Sequence, residues 1–357
     1  MTFALQLPLF ASGGWGNLFS VLGQHLWVLT VLFLLSWPTR TVSLRSVVLH
    51  FFVGVYPVAL SALLAGHALL WLTDVLSIPG LAETLLVPAF EELAKVIPVV
   101  IYFGLSARRR GLRVAAIDGL ILGFAVGAGF AFHEDMAASR SVGRGLSLDP
   151  LGLLLPTAAK IGGGFVGPPA RWVAGHAGWA ALSGLSVGLC AHVRRRSWSG
   201  FRNWRLPAVG VALVVLDHAN VNYQGTGDVV LNRLFLGGLL VPIVLGVLVT
   251  VVLLVDGTAI RDGRPAGDPF PSIPRSTQLA LLPPRSLAQL LELRAVRGYQ
   301  RLRRSAHLSL WHWRRDPPPK EVAIEALAEV AAVGVVASAW AEDPGGRPDS
   351  NEGAPGT

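Results

Sequence analysis

Residues 115–136, AAIDGLILGFAVGAGFAFHEDM, are one of the apolar runs that decide the fold. A run of about 20 mostly apolar residues is long enough to cross the hydrocarbon core of a bilayer as a helix. Small residues recur in this run every four positions, at Gly119, Gly123, Gly127 and Ala131. Such a stripe lets a second helix approach closely within a membrane. The stretch therefore predicts a transmembrane helix that packs tightly against a neighbour.

Six further runs have a similar character, so the sequence predicts an all-α fold, a polytopic transmembrane bundle of about seven helices. The chain is 52% hydrophobic and only 15% charged, against about 25% charged residues in soluble proteins. The predicted helices cover 17–36, 47–72, 81–105, 114–137, 172–193, 206–222 and 229–255. We expect residues 1–256 to form the transmembrane domain. We expect residues 257–357 to form a cytoplasmic tail rich in Pro and Arg, partly helical and disordered at its C-terminal end.

Basic residues set the predicted orientation, because Lys and Arg collect in cytoplasmic loops. Clusters of arginine follow the first, third and fifth predicted helices, which puts them on one side of the membrane if the helices alternate in direction. The outer loop at 138–171 also carries basic residues, but the bias favours the cytoplasmic side for the three clusters. We therefore expect a multi-pass protein of the plasma membrane with its N-terminus outside and its C-terminus in the cytoplasm.

The charge pattern also bears on partners. The formal charge of +8 is divided among separate clusters and forms no continuous basic face, so a nucleic acid is not predicted as a partner. The basic stretch at 285–315 predicts contact with anionic membrane lipid. The alternative for this stretch is a solvated helical appendage.

The segment PAFEELAKVIP at 88–98 places Glu91, Glu92 and Lys95 inside an apolar span. Each such charge costs roughly 2.5–3.5 kcal/mol on insertion, so a compensating role is expected. Lys95 lies one helical turn from both carboxylates and can pair with one of them. Adjacent residues are about 100° apart around a helix, so the other carboxylate faces a different neighbour. A buried ion pair that joins two helices is the structural alternative, and it explains one glutamate but not two.

Other polar side chains interrupt the apolar helices at a common depth. They are Glu134 and Asp135 at the end of the 115–136 run, His176 near the start of the fifth helix, and His218 and Asn222 near the end of the sixth. If the helices alternate in direction, all of them lie in the outer half of the bilayer, as do the two glutamates of the third helix. Histidines that serve only packing would not share a depth. The pattern therefore predicts one buried polar site.

Four segments, taken in order, resemble the motifs of PrsW-type intramembrane proteases, relatives of the CAAX-prenyl endopeptidase and bacteriocin-processing group. The segments are EELAK (91–95), GFAFHED (129–135), GHAGWAALSG (175–184) and HANVN (218–222). The resemblance spans about residues 80–225. It implies an intramembrane endopeptidase that cleaves single-pass membrane proteins, such as an anti-sigma factor or a similar regulator. It assigns catalytic roles to Glu91, Glu92, Lys95, Glu134, His176, His218 and Asn222. Asp135 stands where members of the family often have Asn.

Two mechanisms are compatible with these residues. In the first, Glu91 or Glu92 is the general base toward a water molecule, while His218 and Asn222 hydrogen-bond the developing oxyanion. In the second, His176, His218 and Glu134 hold a divalent ion, Zn²⁺, and a glutamate of the third helix activates its bound water. Two histidines and one carboxylate are a known catalytic zinc set.

Two other functions compete with proteolysis. A proton-coupled transporter or channel also buries acids and histidines, but it predicts polar groups through the full depth of the membrane. Apart from Asp118, the inner half of the predicted helices is nearly free of such groups. A structural anchor for the tail would tolerate alanine at every buried acid.

Overall fold

The computed structural model describes residues 23, 26–27, 29–78, 80–109, 113–142, 159–161, 171–193, 204–222, 233–265, 268–270, 287–314 and 320–342. Its α-helices are α1 (Leu44–Val53), α2 (Ala59–Val75), α3 (Val87–Arg109), α4 (Ala116–Val142), α5 (Gly175–Val193), α6 (Arg205–Asn222), α7 (Leu240–Asp262), α8 (Leu287–Trp313) and α9 (Lys320–Glu342). Two three-residue strands, β1 (Ala159–Ile161) and β2 (Arg171–Val173), pair in antiparallel orientation. The predicted all-α class is confirmed.

Three stretches of the described chain are long and apolar enough to cross a membrane: Leu44–Val75, Ala116–Glu134 and Leu240–Asp262. They overlap the second, fourth and seventh predicted helices. Helices α3, α5 and α6 overlap the third, fifth and sixth predicted helices, but each of them carries polar side chains inside its apolar sequence. Of the first predicted helix, at 17–36, the structure describes residues 23, 26–27 and 29–36, and residues 29–35 are helical. The predicted number of seven spans is therefore approximate.

Helix α4 packs with its backbone against α5. A Cβ atom at Gly119, Gly123 or Gly127 would collide with the backbone of α5, and one at Gly184 or Gly188 would collide with that of α4. Only glycine permits this approach along several turns. The predicted close packing of the glycine stripe is confirmed, and α5 is its partner.

The other face of α4 packs against α1 and the π-helical turn Gly54–Val58 that follows it. A Cβ at Gly54 would collide with the Val126 carbonyl oxygen, and one at Gly129 with the Phe51 carbonyl oxygen. Pro57 lies inside the π-helical turn, and proline bends a helix because it removes a backbone hydrogen bond. Beyond this turn, α2 is poorly buried, which leaves a cavity beside it.

Two buried acids hold the N-terminal end of α4. The Asp256 carboxylate of α7 accepts hydrogen bonds from the backbone amides of Ala116 (3.1 Å) and Ile117 (2.9 Å). The Asp118 carboxylate accepts bonds from the backbone amide and hydroxyl of Thr41. The first amides of a helix have no partner within the helix, and a carboxylate there also opposes the positive end of the helix dipole. Asp118 thus has a structural role, so the transport alternative gains no support from it.

The chain divides into two compact units, residues 1–109 with 114–258, and residues 110–113 with 259–357. In the second unit, α8 and α9 enclose a small apolar core of Phe270, Leu293, Val296, Tyr299, Ala306, Ala326 and Val330. The expected disordered end lies outside the described residues. The assignment of proteolysis to residues 1–256 alone stays a prediction.

Candidate functional site

Helix α3 carries the three charged residues of the EELAK segment into the protein interior. Glu92 and Lys95 are fully buried, and Glu91 is 8% exposed. Lys95 Nζ lies 2.7 Å from Glu92 Oε1 and 3.7 Å from Glu91 Oε2. Lysine therefore bonds to Glu92, and Glu91 takes a separate position, as the helical spacing predicted.

His176, in the first turn of α5, connects α3 with α4. Its Nδ1 lies 2.7 Å from Lys95 Nζ, and its Nε2 lies 2.5 Å from Glu134 Oε2. An ammonium group can only donate hydrogen bonds, so Nδ1 is the acceptor and the ring proton is on Nε2. His176 thus donates to Glu134 on α4.

His218, near the end of α6, contacts the two glutamates of α3. Its Nδ1 lies 3.1 Å from Glu92 Oε1, and its Nε2 lies 3.9 Å from Glu91 Oε2. An ionised carboxylate only accepts hydrogen bonds, so Nδ1 carries the proton and Nε2 keeps its lone pair. That lone pair is directed toward the side of the cluster on which Glu91 lies.

The cluster has the donors of a metal centre. Glu91, Glu92, His176 and His218 each place one ligand atom within 4.8 Å of the others. Glu91 Oε2 and Glu92 Oε2 are buried and accept no hydrogen bond from any residue that the structure describes. A buried oxygen without a partner is costly, and a cation removes that cost. Carboxylate oxygens and imidazole nitrogens are also the ligands that Zn²⁺ prefers, so these residues fit a divalent ion.

This group differs from the predicted metal set. The second mechanism placed the ion on His176, His218 and Glu134, whereas the four clustered donors include Glu91 and Glu92 and leave Glu134 out. Glu134 contacts the Nε2 of His176 instead. A carboxylate in that position typically fixes the orientation of a metal-binding histidine.

A cavity of about 680 Å³ opens beside the cluster. Glu91 and Glu134 line its polar wall, formed with residues of α4 and α6, while side chains of α2 form the apolar wall. Glu92, Lys95 and His218 are not part of the lining and lie deeper in the protein. Glu91 is therefore the acid that combines access to the cavity with a carboxylate oxygen that accepts no hydrogen bond from the described residues.

Asn222 lies apart from the buried cluster. It is the last residue of α6, its side chain is exposed, and its Nδ2 donates to the Glu83 carbonyl oxygen at 3.1 Å. It lines the rim of the cavity. The structure thus brings together six of the seven predicted catalytic residues and leaves Asn222 outside them. The side chain of Asp135 is not among those described.

Two residues that the sequence analysis did not select support the cluster. The indole of Trp179 stacks on the imidazole of His218, with ring centroids 4.2 Å apart and planes 20° apart. Trp179 Nε1 donates to Asp217 Oδ2 at 2.8 Å, and both residues are buried. A sequence signal existed, because Asp217 is a charged residue inside an apolar helix and directly precedes a predicted site histidine.

Comparison with known proteins identifies the same part of the chain. A family model described as PrsW family intramembrane metalloprotease matches residues 42–255. This range includes every residue of the cluster and all helices that line the cavity. No curated protein and no solved structure matches the chain.

Proposed function

The chain belongs to the PrsW family of intramembrane metalloproteases, and from this premise we propose that it cleaves single-pass membrane proteins beside Glu91. The observation that carries the proposal is the convergence of two carboxylates and two imidazoles within 4.8 Å of one another, next to a cavity. An anti-sigma factor or a similar membrane-bound regulator is the proposed class of substrate, by resemblance to the family.

Glu91 is the proposed general base. Its Oε2 is without a hydrogen-bond partner among the described residues, and the residue lines the cavity. A water molecule beside this oxygen can also hydrogen-bond to the lone pair on His218 Nε2, 3.9 Å away. Glu91 accepts a proton from the water molecule as the water oxygen attacks the substrate carbonyl carbon. The same proton then passes to the leaving amide nitrogen as the peptide bond breaks.

The remaining cluster residues are proposed to hold this arrangement in place. Glu92 accepts hydrogen bonds from both Lys95 and His218, so it fixes the positions of an ammonium group and an imidazole. Glu134 holds His176 in the same manner. The Lys95 ammonium group also supplies positive charge close to the site where the oxyanion develops, in surroundings of low dielectric constant.

We propose Zn²⁺ as the metal, held by Glu92, His176 and His218. These residues are a set of two imidazoles and one carboxylate, and they leave the cavity-facing Glu91 available as base. When bound, such an ion polarises the substrate carbonyl and lowers the pKa of a bound water. Lys95 contacts Glu92 Oε1 and His176 Nδ1, so binding of the ion to these two atoms would require the ammonium group to move.

The test uses the purified full-length protein in proteoliposomes with a single-pass reporter substrate. We expect Glu91→Gln and His218→Ala to abolish cleavage and a chelator to remove both zinc and activity. His50→Ala is the matched control, since His50 is a buried membrane histidine that is not part of the cluster; its Nδ1 bonds to the Ser46 carbonyl oxygen at 2.7 Å. Cleavage by the His218→Ala variant at the wild-type rate would remove the basis of the proposal.

The proposed location is the plasma membrane, with the N-terminus outside and the site open toward the outer half of the bilayer. This orientation rests on the arginine clusters of the linkers. In a variant without Cys190, a cysteine at Ser141 should react with a membrane-impermeant reagent added to intact cells, and one at Ser199 should not. The opposite labelling pattern would reverse the orientation.

A further inference from the structure

One face of α2 borders the cavity. Its lining residues Leu63, Gly66, His67 and Leu70 form this face, which we call the α2 wall. The lining residues Ala59 and Ala62 at its N-terminal end are buried in a core cluster with Ala94, Val126 and Phe130. The wall belongs to the candidate membrane span Leu44–Val75. It therefore lies at the depth where only an apolar occupant or a protein segment is expected.

The space beside the α2 wall exists because α2 separates from the bundle. The π-helical turn that precedes it is held against α4, whereas the buried residues of α2 itself are Ala59, Ala62 and Thr73. At Gly66, an added Cβ would meet only the side-chain methyl groups of Val87, at 3.9 and 4.0 Å. These are ordinary van der Waals distances, so the position accepts a Cβ, and a larger side chain there would extend into the cavity that Gly66 lines.

The opposite wall of the cavity is polar and accepts hydrogen bonds. Glu91 is buried, and its Oε2 accepts no hydrogen bond within the described part of the chain. Glu134 lies beside it in the lining. A transmembrane segment must lose local helical hydrogen bonds before a peptide bond can be attacked, and the freed N–H groups need acceptors in a membrane. A lipid acyl chain has no groups for these carboxylates to bind.

We infer that the α2 wall is the docking surface for the transmembrane segment of the substrate. The apolar side chains of the segment pack on the small residues of α2, and its unwound backbone lies against Glu91 and Glu134. Small residues on a helix face permit the close approach that such packing requires. The inference rests on the proposed function, because it concerns the substrate of the same site.

The first test fills the space beside the α2 wall. Gly66→Leu should lower kcat/KM for a membrane-embedded substrate by about 10–200-fold, the usual effect of misfit groups in an apolar pocket. Ala68→Leu is the control, since Ala68 lies on the same helix, is exposed and is not among the lining residues. This control should retain the wild-type rate.

The second test identifies the occupant directly. Cys190 is the only cysteine of the chain, so Cys190→Ala provides a background for Gly66→Cys in the inactive Glu91→Gln protein. A cysteine within the transmembrane segment of the substrate should form a cross-link with position 66 and not with a cysteine at Ala68. If Gly66→Leu cleaves at the wild-type rate and position 66 gives no cross-link, the docking proposal is overturned. If the wild-type protein cleaves no membrane protein, the proposed function itself is refuted.

Discussion

Replacing Glu91 or Glu92 by glutamine should separate catalysis from stability. The two residues are adjacent, and each substitution exchanges a carboxylate for an amide of nearly the same shape. Their surroundings differ, because Glu92 is fully buried and bonded to Lys95 and His218, whereas the Oε2 of Glu91 lacks a hydrogen bond within the described residues. We therefore expect Glu91→Gln to abolish activity alone. Glu92→Gln should abolish activity and also lower the free energy of unfolding.

The magnitudes follow from these contacts. Removing one partner of a buried ion pair costs about 3–5 kcal/mol, because the other charge is left uncompensated. Glu92→Gln leaves the Lys95 ammonium group with Glu91 Oε2 at 3.7 Å, so we expect the lower end, about 3 kcal/mol. Glu91→Gln leaves the ion pair between Lys95 and Glu92 intact and should change the free energy of unfolding by less than about 1 kcal/mol. Loss of a general base lowers the rate by roughly 10²–10⁴-fold.

The free energy of unfolding can be measured by denaturant titration of the purified protein in detergent micelles, and the rate by cleavage of a reporter in proteoliposomes. Both variants and the wild-type protein are compared at one pH and one detergent concentration. Equal losses of stability in the two variants would show that the buried ion pair does not determine stability. Undiminished cleavage by Glu91→Gln would exclude this residue as the base.

Three further outcomes are expected. Trp179→Phe keeps the ring stack on His218 but removes the N–H bond to Asp217, which is worth about 1.5–3 kcal/mol because its acceptor is charged. We expect kcat for the reporter substrate to fall while KM is unchanged. Asp217→Asn keeps an acceptor oxygen, so its decrease in kcat should be smaller. A chain ending at Arg264 should cleave a short unstructured substrate at the full rate, because every predicted catalytic residue precedes residue 223; loss of that activity would assign the tail a role in catalysis. In the second unit, burial lowers the pKa of His307 from 6.5, and hydrogen bonds outweigh burial to lower the pKa of Asp268. As the pH falls, these groups therefore bind protons in the unfolded chain before they do so in the folded chain. Thermal unfolding of the full-length protein should show lower stability of this unit from about pH 6.5 downward. His307→Gln should weaken this dependence of stability on pH.

Much of the site could be predicted because charged residues are rare in apolar helices. The two glutamates and Lys95 identified α3, and the alternation of helices placed the histidines at the same depth. Helical spacing also predicted that Lys95 could pair with one of the glutamates. Its ammonium group hydrogen-bonds to Glu92 at 2.7 Å and also lies at ion-pair distance from Glu91, at 3.7 Å.

Other features depend on contacts that spacing does not determine. His218 and Asn222 lie one turn apart, but α6 ends at Asn222, so its side chain reaches the rim of the cavity and not the cluster. The choice between Glu92 and Glu134 as a clustered donor depends on which side of His176 each carboxylate approaches. The pairing of α8 with α9 follows from complementary apolar faces, and the sequence predicted a partly helical tail without predicting this contact.

The glycine contact between α4 and α5 has a consequence for how the protein responds to its lipid surroundings. Two helices whose backbones touch at successive turns cannot slide along each other without collision. Bilayers differ in thickness, and transmembrane helices usually adjust by tilting. This pair has to tilt as a single unit, which preserves the hydrogen bond between His176 and Glu134. Adjustment to a thinner or thicker membrane therefore falls to α2, which is held by fewer buried residues.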